Sequence, residues 1–246
     1  MPFKLILFVF ILIACSPVQA KIMTACIDHY PPLQFVARKP YGESISALKT
    51  LAKLLEYKIK FVRGPNFARC LKLLELGKVD VLAGLVDNEN RRKIALLVPY
   101  KKDSEYIFVI RTQSSDIKRY DDFKGLNVGV TKDTLYFKRF DTDKNIKKVE
   151  VKDIKIGLQL LVKSRVDVVI TATEIFNSSV KELNITDKVK LTTFTQKVNR
   201  SLNFGFSKQS ALQITESKIT KINQATEQGM FVKAINDFIA KNPQYY

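Results

Sequence analysis

At 246 residues the chain is long enough to bury a substantial core, as one large domain or two small ones. Its 41 Lys and Arg against 24 Asp and Glu give a formal charge of +17. The basic residues are scattered along the chain instead of clustered, which excludes the usual nucleic-acid footprint and leaves a field that favours an anionic ligand or the negatively charged cell envelope.

Residues 1–20 read as a secretory signal peptide. Met1–Lys4 is a short basic start, Leu5–Ala14 is an apolar run too short to span a bilayer, and Val18 and Ala20 occupy cleavage-type positions. Cleavage after Ala20 predicts a soluble, periplasmic protein. The alternative is a lipobox at Leu12-Ile13-Ala14-Cys15, with Cys15 as a lipid anchor. It is disfavoured because it leaves only a short tether before the first strand. No second apolar run reaches spanning length. Cys26 and Cys70 remain in the exported chain, and an oxidising compartment suggests one disulfide between them, with two buried thiols as the alternative.

Residues 21–27 read as a strand and 28–41 as a Pro-containing loop. Residues 43–56 place Ile45, Leu48, Leu51, Ala52 and Leu55 on one helical face. A strand at 57–62 follows, then a helix through Leu76 with Asn66 as its N-cap. Residues 79–85 form a buried parallel-type strand, 88–95 a short helix or turn, and 105–111 a strand. The pattern then restarts: a strand at 126–130, a helix beginning near Asp133, a strand at 146–151, a helix at 154–163 and a strand at 166–171. A strand at 189–194 comes next. Residues 202–207 cross back, and helices at 211–227 and 230–241 complete the chain.

Residues 71–81 are echoed by residues 158–168, 87 positions later, with six of eleven identical and Lys78 matched by Arg165. Each copy is a helix end, a tight turn and an apolar strand. A parallel α/β unit occurring once per half implies two similar lobes, residues 21–103 plus 199–246 and residues 104–198. Clefts between domains are where small ligands bind.

The chemistry-bearing residues follow from the fold class. His29 beside Asp28 is either an acid/base pair or a polar loop residue. No metal spacing, phosphate loop or nucleophile elbow occurs, so no cofactor, metal site or catalytic residue is assigned. Ligands of open α/β sheets sit beyond the carboxyl ends of the strands. Those ends carry Asp28 and Tyr30, then Ala83, Gly84 and Val86, followed by Arg91. In the second half they carry Thr131 and Thr134, then Thr171 and Glu174. Tyr30 and Phe67 are placed to stack on a ligand, or to pack at the edge of the core. Gly84 admits close approach to backbone amides, or simply makes a turn. Arg91 is a bidentate carboxylate clamp, or part of a solvated Arg-Arg-Lys run. Thr134 marks a helix N-terminus that favours an anion, or caps that helix with Asp133.

Residues 26–35, Cys-Ile-Asp-His-Tyr-Pro-Pro-Leu-Gln-Phe, resemble the first strand and loop of the family 3 solute-binding proteins, the periplasmic receptors of polar amino acid ABC transporters. So do the Leu-rich helix, Gly turn and Val-Asp strand at 71–80, Ala83-Gly84 followed by Arg91-Arg92-Lys93 and Pro99-Tyr100, and residues 123–130. The resemblance implies the type II periplasmic binding fold: α/β, two lobes, each a mostly parallel sheet flanked by helices, joined by two hinge crossings and closing on a ligand. It implies an inner-membrane ABC permease as partner; a monomer is expected, and the scattered charge of an exported chain argues against nucleic acid. The family's carboxylate-clamping Arg falls on Arg91, its aromatic positions on Tyr30 and Phe67, and its second-lobe threonine on Thr134. Its hydroxyl two residues after Gly84 is Val86 here. Its ammonium-holding acid is Ala172 and its Gly before Thr134 is Asp133. Either Glu174 substitutes for the missing acid, or the ligand carries an anionic group and no ammonium.

These observations predict a non-catalytic periplasmic protein that captures a small polar, anionic or amino-acid-like metabolite. Two alternatives are a dehydratase-like enzyme using Asp28, His29 and Glu174, and a sensor or interaction module with a degenerate cleft.

Overall fold

The computed structural model describes residues 21–103 and 105–246; the signal-peptide reading of residues 1–20 and the Cys15 alternative lie outside them. The first half contains β1 (Ile22–Ile27), α1 (Glu43–Leu54), β2 (Lys58–Arg63), α2 (Phe67–Glu75), β3 (Val81–Val86), α3 (Glu89–Ile94) and β4 (Ala95–Lys102). Next come β5 (Tyr106–Arg111), β6 (Asn127–Thr131), α4 (Lys138–Thr142), β7 (Lys147–Val151), α5 (Ile154–Val162), β8 (Val168–Ala172), α6 (Thr173–Leu183) and β9 (Val189–Gln196). The chain closes with β10 (Ser201–Ser207), α7 (Glu216–Glu227) and α8 (Met230–Lys241).

The strands form two five-stranded sheets, β2-β1-β3-β10-β4 and β7-β6-β8-β5-β9. In the first, β1 runs parallel to β2 and β3, and β10 runs antiparallel to β3 and β4. In the second, β6 runs parallel to β7 and β8, and β5 runs antiparallel to β8 and β9. Each sheet is therefore mixed, with one reversed strand at the same place in the order. The two lobes are this one topology built twice. The chain passes from the first sheet to the second between β4 and β5 and returns between β9 and β10. Arg200 Nε donates to Asp103 Oδ2 at 2.7 Å and the Asp103 N–H to the Arg200 carbonyl at 2.9 Å, so the two crossings are tied to one another.

The echo in the sequence has a mechanical meaning. The Asp80 carboxylate accepts from the Thr24 N–H and hydroxyl at 2.6 and 2.7 Å, and the Asp80 N–H donates to the Thr24 carbonyl. In the other copy the Asp167 carboxylate accepts from the Asn127 N–H and side-chain amide at 2.9 and 3.0 Å, and its N–H donates to the Asn127 carbonyl. The equivalent aspartate thus pins β3 to β1 in one lobe and β8 to β6 in the other. The preceding turns match too. Gly77 and Ser164 both have positive φ, and both helices close with the paired bonds of a Schellman motif: Gly77 N–H to Leu74 O with Lys78 N–H to Leu73 O, and Ser164 N–H to Leu161 O with Arg165 N–H to Leu160 O. At the other end Asn66 and Asp153 cap α2 and α5 by accepting from the N–H three residues on.

Helices cover both faces of each sheet. Leu48 and Leu51 of α1 and Phe231 of α8 pack with Phe204 and Phe206 on one face of the first sheet. On the other face Leu74 of α2 meets Leu82 and Leu85, beside the Cys26–Cys70 disulfide. A Cβ on Gly64 would lie 2.6 Å from the Cys70 sulfur, so the bridge requires glycine there. In the second lobe Phe108, Phe123 and Phe140 fill one face, while α5 and α6 bury Leu158, Leu161 and Ile175 on the other.

Four elements depart from the sequence reading. Strand β4 was not anticipated; it lies at the sheet edge, where Pro99 breaks the apolar pattern but needs no ladder partner on its outer side. Helix α6 was not anticipated either, because Thr173, Asn177, Ser178 and Ser179 are weak helix formers. The last long pair of helices begins at Glu216, not 211. The helix expected near Asp133 begins at Lys138: Tyr136 and Phe137 are buried first, and Asp133 turns the chain with φ 59°.

The aspartate pins are testable. Bonds from Asn127 hold the Asp167 carboxyl below its ordinary value, so its contribution is present above pH about 4 and lost as pH falls through the lowered native value. Asp167→Ala should lower the unfolding free energy by about 1–3 kcal/mol at neutral pH. An unchanged denaturation midpoint would show that the pin carries no stability.

Candidate functional site

The carboxyl ends of the parallel strands of both sheets open onto one cavity between the lobes. Asp28, Tyr30, Phe67, Ala83, Gly84, Val86, Arg91, Thr131, Thr134, Thr171 and Glu174 all line it. Thr134 among them, and His29 outside them, depart from the expectation. Thr134 does not sit at a helix N-terminus; it lies in the turn before α4, its N–H donating to the Thr131 carbonyl at 3.1 Å. The left-handed backbone at Asp133 explains why glycine would also suit that position. His29 does not join Asp28 in the cavity. It points to the surface, where its Nε2 lies 3.8 Å from Glu182.

Arg91 is 4% exposed despite standing in a basic run. Asn88 caps the short helix α3 by accepting from the Arg91 N–H at 2.7 Å, and this turns the side chain inward. Nη1 donates to the Val86 carbonyl at 3.0 Å, and Nη2 crosses the cleft to the Asp133 carbonyl at 2.9 Å. The guanidinium also lies 5.5 Å from the centre of the Phe67 ring, a cation–π arrangement. Two of its five N–H donors are thereby committed, which fixes its plane; three remain. Burial, with Arg200 next, brings its pKa down to about 10, so it stays charged at neutral pH. Gly84 has φ 85°, and a Cβ built there meets nothing within 4 Å. The glycine is needed for its backbone angle, and it leaves open space beside the strand.

The opposite charge is present as well. Burial pushes the Asp28 carboxyl up to about 6, opposed by its backbone hydrogen bond and aided by Asp153 from the other lobe. The Gln34 side chain accepts from the Asp28 N–H at 3.2 Å and holds the loop against the strand. Burial also drives the Tyr30 phenol well above its ordinary value. Thr171 is buried, and its hydroxyl has no hydrogen-bond partner among the described residues; the Tyr30 hydroxyl faces it without reaching hydrogen-bond geometry. A buried hydroxyl left unpaired costs free energy, and here it opens onto the cavity.

The sequence pattern of the bacterial extracellular solute-binding proteins, family 3, matches residues 22–244. The chain belongs to this family. A sequence search of curated proteins found no match. Among solved structures, an ancestral arginine-binding protein bound to arginine is similar at 24% identity and TM-score 0.72, covering 91% of this chain and 98% of its own. A histidine kinase sensor domain with similarity to periplasmic binding proteins is similar at 17% identity and TM-score 0.73, covering 91% and 95%. An arginine-specific periplasmic binding protein of Salmonella typhimurium is similar at 18% identity and TM-score 0.71, covering 90% and 99%. At these identities the likeness establishes the shared two-lobed fold.

The structure adds residues to this family 3 site that the sequence reading did not name. Lys101 lines the cavity, its Nζ 3.5 Å from the buried Glu43 carboxylate. Burial lowers the Lys101 pKa, but Tyr100, Glu43 and Glu174 outweigh it and hold the value above normal. Recognition of β4 would have found Lys101, since it lies near that strand's carboxyl end. Tyr136 accepts from the Thr131 N–H at 2.8 Å. Tyr106 donates to the Leu135 carbonyl at 3.3 Å and accepts from Arg200 at 2.6 Å. These two phenols buttress the second-lobe wall. No salt bridge joins Arg91 to a carboxylate among the described residues, whereas Lys101 has Glu43.

The unpaired hydroxyl gives a discriminating variant. Thr171→Val keeps the shape and removes a polar atom that has no hydrogen-bond partner among the described residues. Its melting temperature should equal or exceed the parent's while small-molecule binding weakens. A clear loss of thermal stability would mean that the hydroxyl serves the fold.

Proposed function

We propose that this protein is an exported, monomeric, non-catalytic receptor that captures a small amino-acid-like metabolite in its cleft and delivers it to an inner-membrane ABC permease. Lobe closure is the event that the permease reads. The residues that bind would be those of the cavity wall. Arg91 pairs with the ligand's anionic group through its uncommitted donors, with the backbone beside Gly84 completing that end. Tyr30 and Phe67 flank the body of the ligand. Asp28 and Glu174 meet a cationic group in place of the acid missing at Ala172, and the Thr171 hydroxyl takes a further polar atom. The observation that carries this reading is a buried guanidinium, oriented by carbonyls of both lobes, in a cavity that also presents carboxyl groups. Both signs of charge suit a zwitterion. The names of the structural neighbours, arginine-binding proteins among them, agree with that class. A dehydratase-like enzyme fits less well, because the surface position of His29 removes one of its three candidate acids and bases from the cavity.

Native mass spectrometry of protein purified without denaturation should show a retained small molecule. Arg91→Ala should abolish detectable binding of that molecule by calorimetry while circular dichroism still reports a folded chain; retained binding would remove Arg91 from the site. For a basic probe such as L-arginine, affinity should fall as pH drops through about 6. Asp28, with its raised pKa, then becomes neutral and no longer attracts the cation. Equal affinities at about pH 5 and about pH 7.5 would show that Asp28 does not meet the cationic group.

A further inference from the structure

The outer end of α6 makes two contacts across the cleft that involve no residue assigned to the ligand. Lys181 Nζ donates to the Tyr246 carbonyl at 2.8 Å. The next residue, Glu182, lies 3.8 Å from His29 Nε2, an ion pair only while His29 is protonated, which burial and Lys155 oppose by lowering its pKa, and Glu182 also holds Lys155 of its own lobe. Adjacent residues of one helix therefore reach two separate segments of the other lobe.

The segment that receives Lys181 is firmly seated on the first lobe. Helix α8 packs on α1 through Phe231 and Ile235. Beyond it, the Tyr245 ring lies 4.5 Å from Phe35, which itself stacks on Tyr41 at 4.5 Å, and the Tyr245 and Tyr41 hydroxyls are 3.2 Å apart. The Tyr246 hydroxyl donates to the buried Glu43 carboxylate at 2.8 Å. Three aromatic rings and a buried acid thus hold the Tyr246 main-chain oxygen in place on the first lobe, where Lys181 of the second lobe's α6 is its side-chain partner among the described residues. The His29 contact is likewise made from the strand-end loop of the first lobe.

We infer that Lys181 and Glu182 form a clasp with Tyr246 and His29, and that this clasp keeps the lobes closed in a substantial fraction of the unliganded protein. Affinity is then tuned by surface residues that never touch the ligand: a closed state already populated leaves less for the ligand to shift. No step of this depends on which molecule binds, so a failure of the Arg91 assignment leaves the inference standing.

The test is small-angle X-ray scattering of the ligand-free protein, stripped by unfolding and refolding, against the Lys181→Ala, Glu182→Ala double variant. Both side chains are exposed, so melting curves of parent and variant should coincide. The closed-to-open ratio should fall about two- to fivefold, the range expected for exposed polar pairs, and the radius of gyration should rise. Identical scattering from two folded proteins of equal thermal stability would overturn the clasp.

Discussion

A charged guanidinium taken out of water must be surrounded by acceptors or by an opposite charge. Arg91 has neutral carbonyls from both lobes as its partners, Val86 on one side and Asp133 on the other. That is enough to orient the group and not enough to neutralise it. The rest of the structure makes sense as the frame for this unfinished electrostatic arrangement: two sheets whose strand ends converge, a cap at Asn88 that turns the side chain inward, and a ring at Phe67 beside its cation. On the proposed function, the ligand's anionic group completes what the fold begins, and because one carbonyl belongs to each lobe, completing it favours the closed arrangement.

The framing is economical because it is the same device used twice. Each lobe ties two parallel strands together through an aspartate, β3 to β1 and β8 to β6, ends its packing helix with a positive-φ residue, and begins that helix with an Asn or Asp cap. Rigidity is thereby concentrated within lobes. Between them run two short crossings joined by Asp103 and Arg200, and the lobes also meet through Arg91 and Asp133, through the end of α6, and through Tyr30 and Leu33 packed on the second lobe's apolar core. This division suits a protein that moves as two bodies. Edge strands β2 and β7 carry Lys58, Lys60 and Lys147 outward, which discourages pairing with other sheets and accounts for part of the high positive charge without any nucleic-acid partner.

Much of this was legible in the sequence, for local reasons. Strand ends are marked by the switch from apolar runs to Gly, Thr, Asp and Arg, so the residues at those ends could be named before any coordinates. The 87-residue echo supplied the two-lobed plan. Other features had no local signal. Alternation along the chain sends Asp28 and Tyr30 inward and His29 outward, yet a lone histidine beside an acid suggests a catalytic pair. Pro99 hid an edge strand and with it Lys101. The Thr-Lys-Asp-Thr stretch at 131–134 has the composition of a helix cap, but burial of Tyr136 and Phe137 takes precedence and delays the helix. The contacts across the cleft join residues far apart in the chain, often through backbone carbonyls, which no side-chain pattern encodes.

The central claim is that a small amino-acid-like molecule lies between the lobes with its anionic group on Arg91. It is tested most directly by a crystal structure of the protein grown with the amino acid that gives the largest thermal stabilisation. The account predicts continuous density in the cavity, with an oxygen of the ligand within hydrogen-bond distance of the Arg91 guanidinium and a polar atom near Thr171. Density outside the cleft, or a ligand whose anionic group faces away from Arg91, would contradict it.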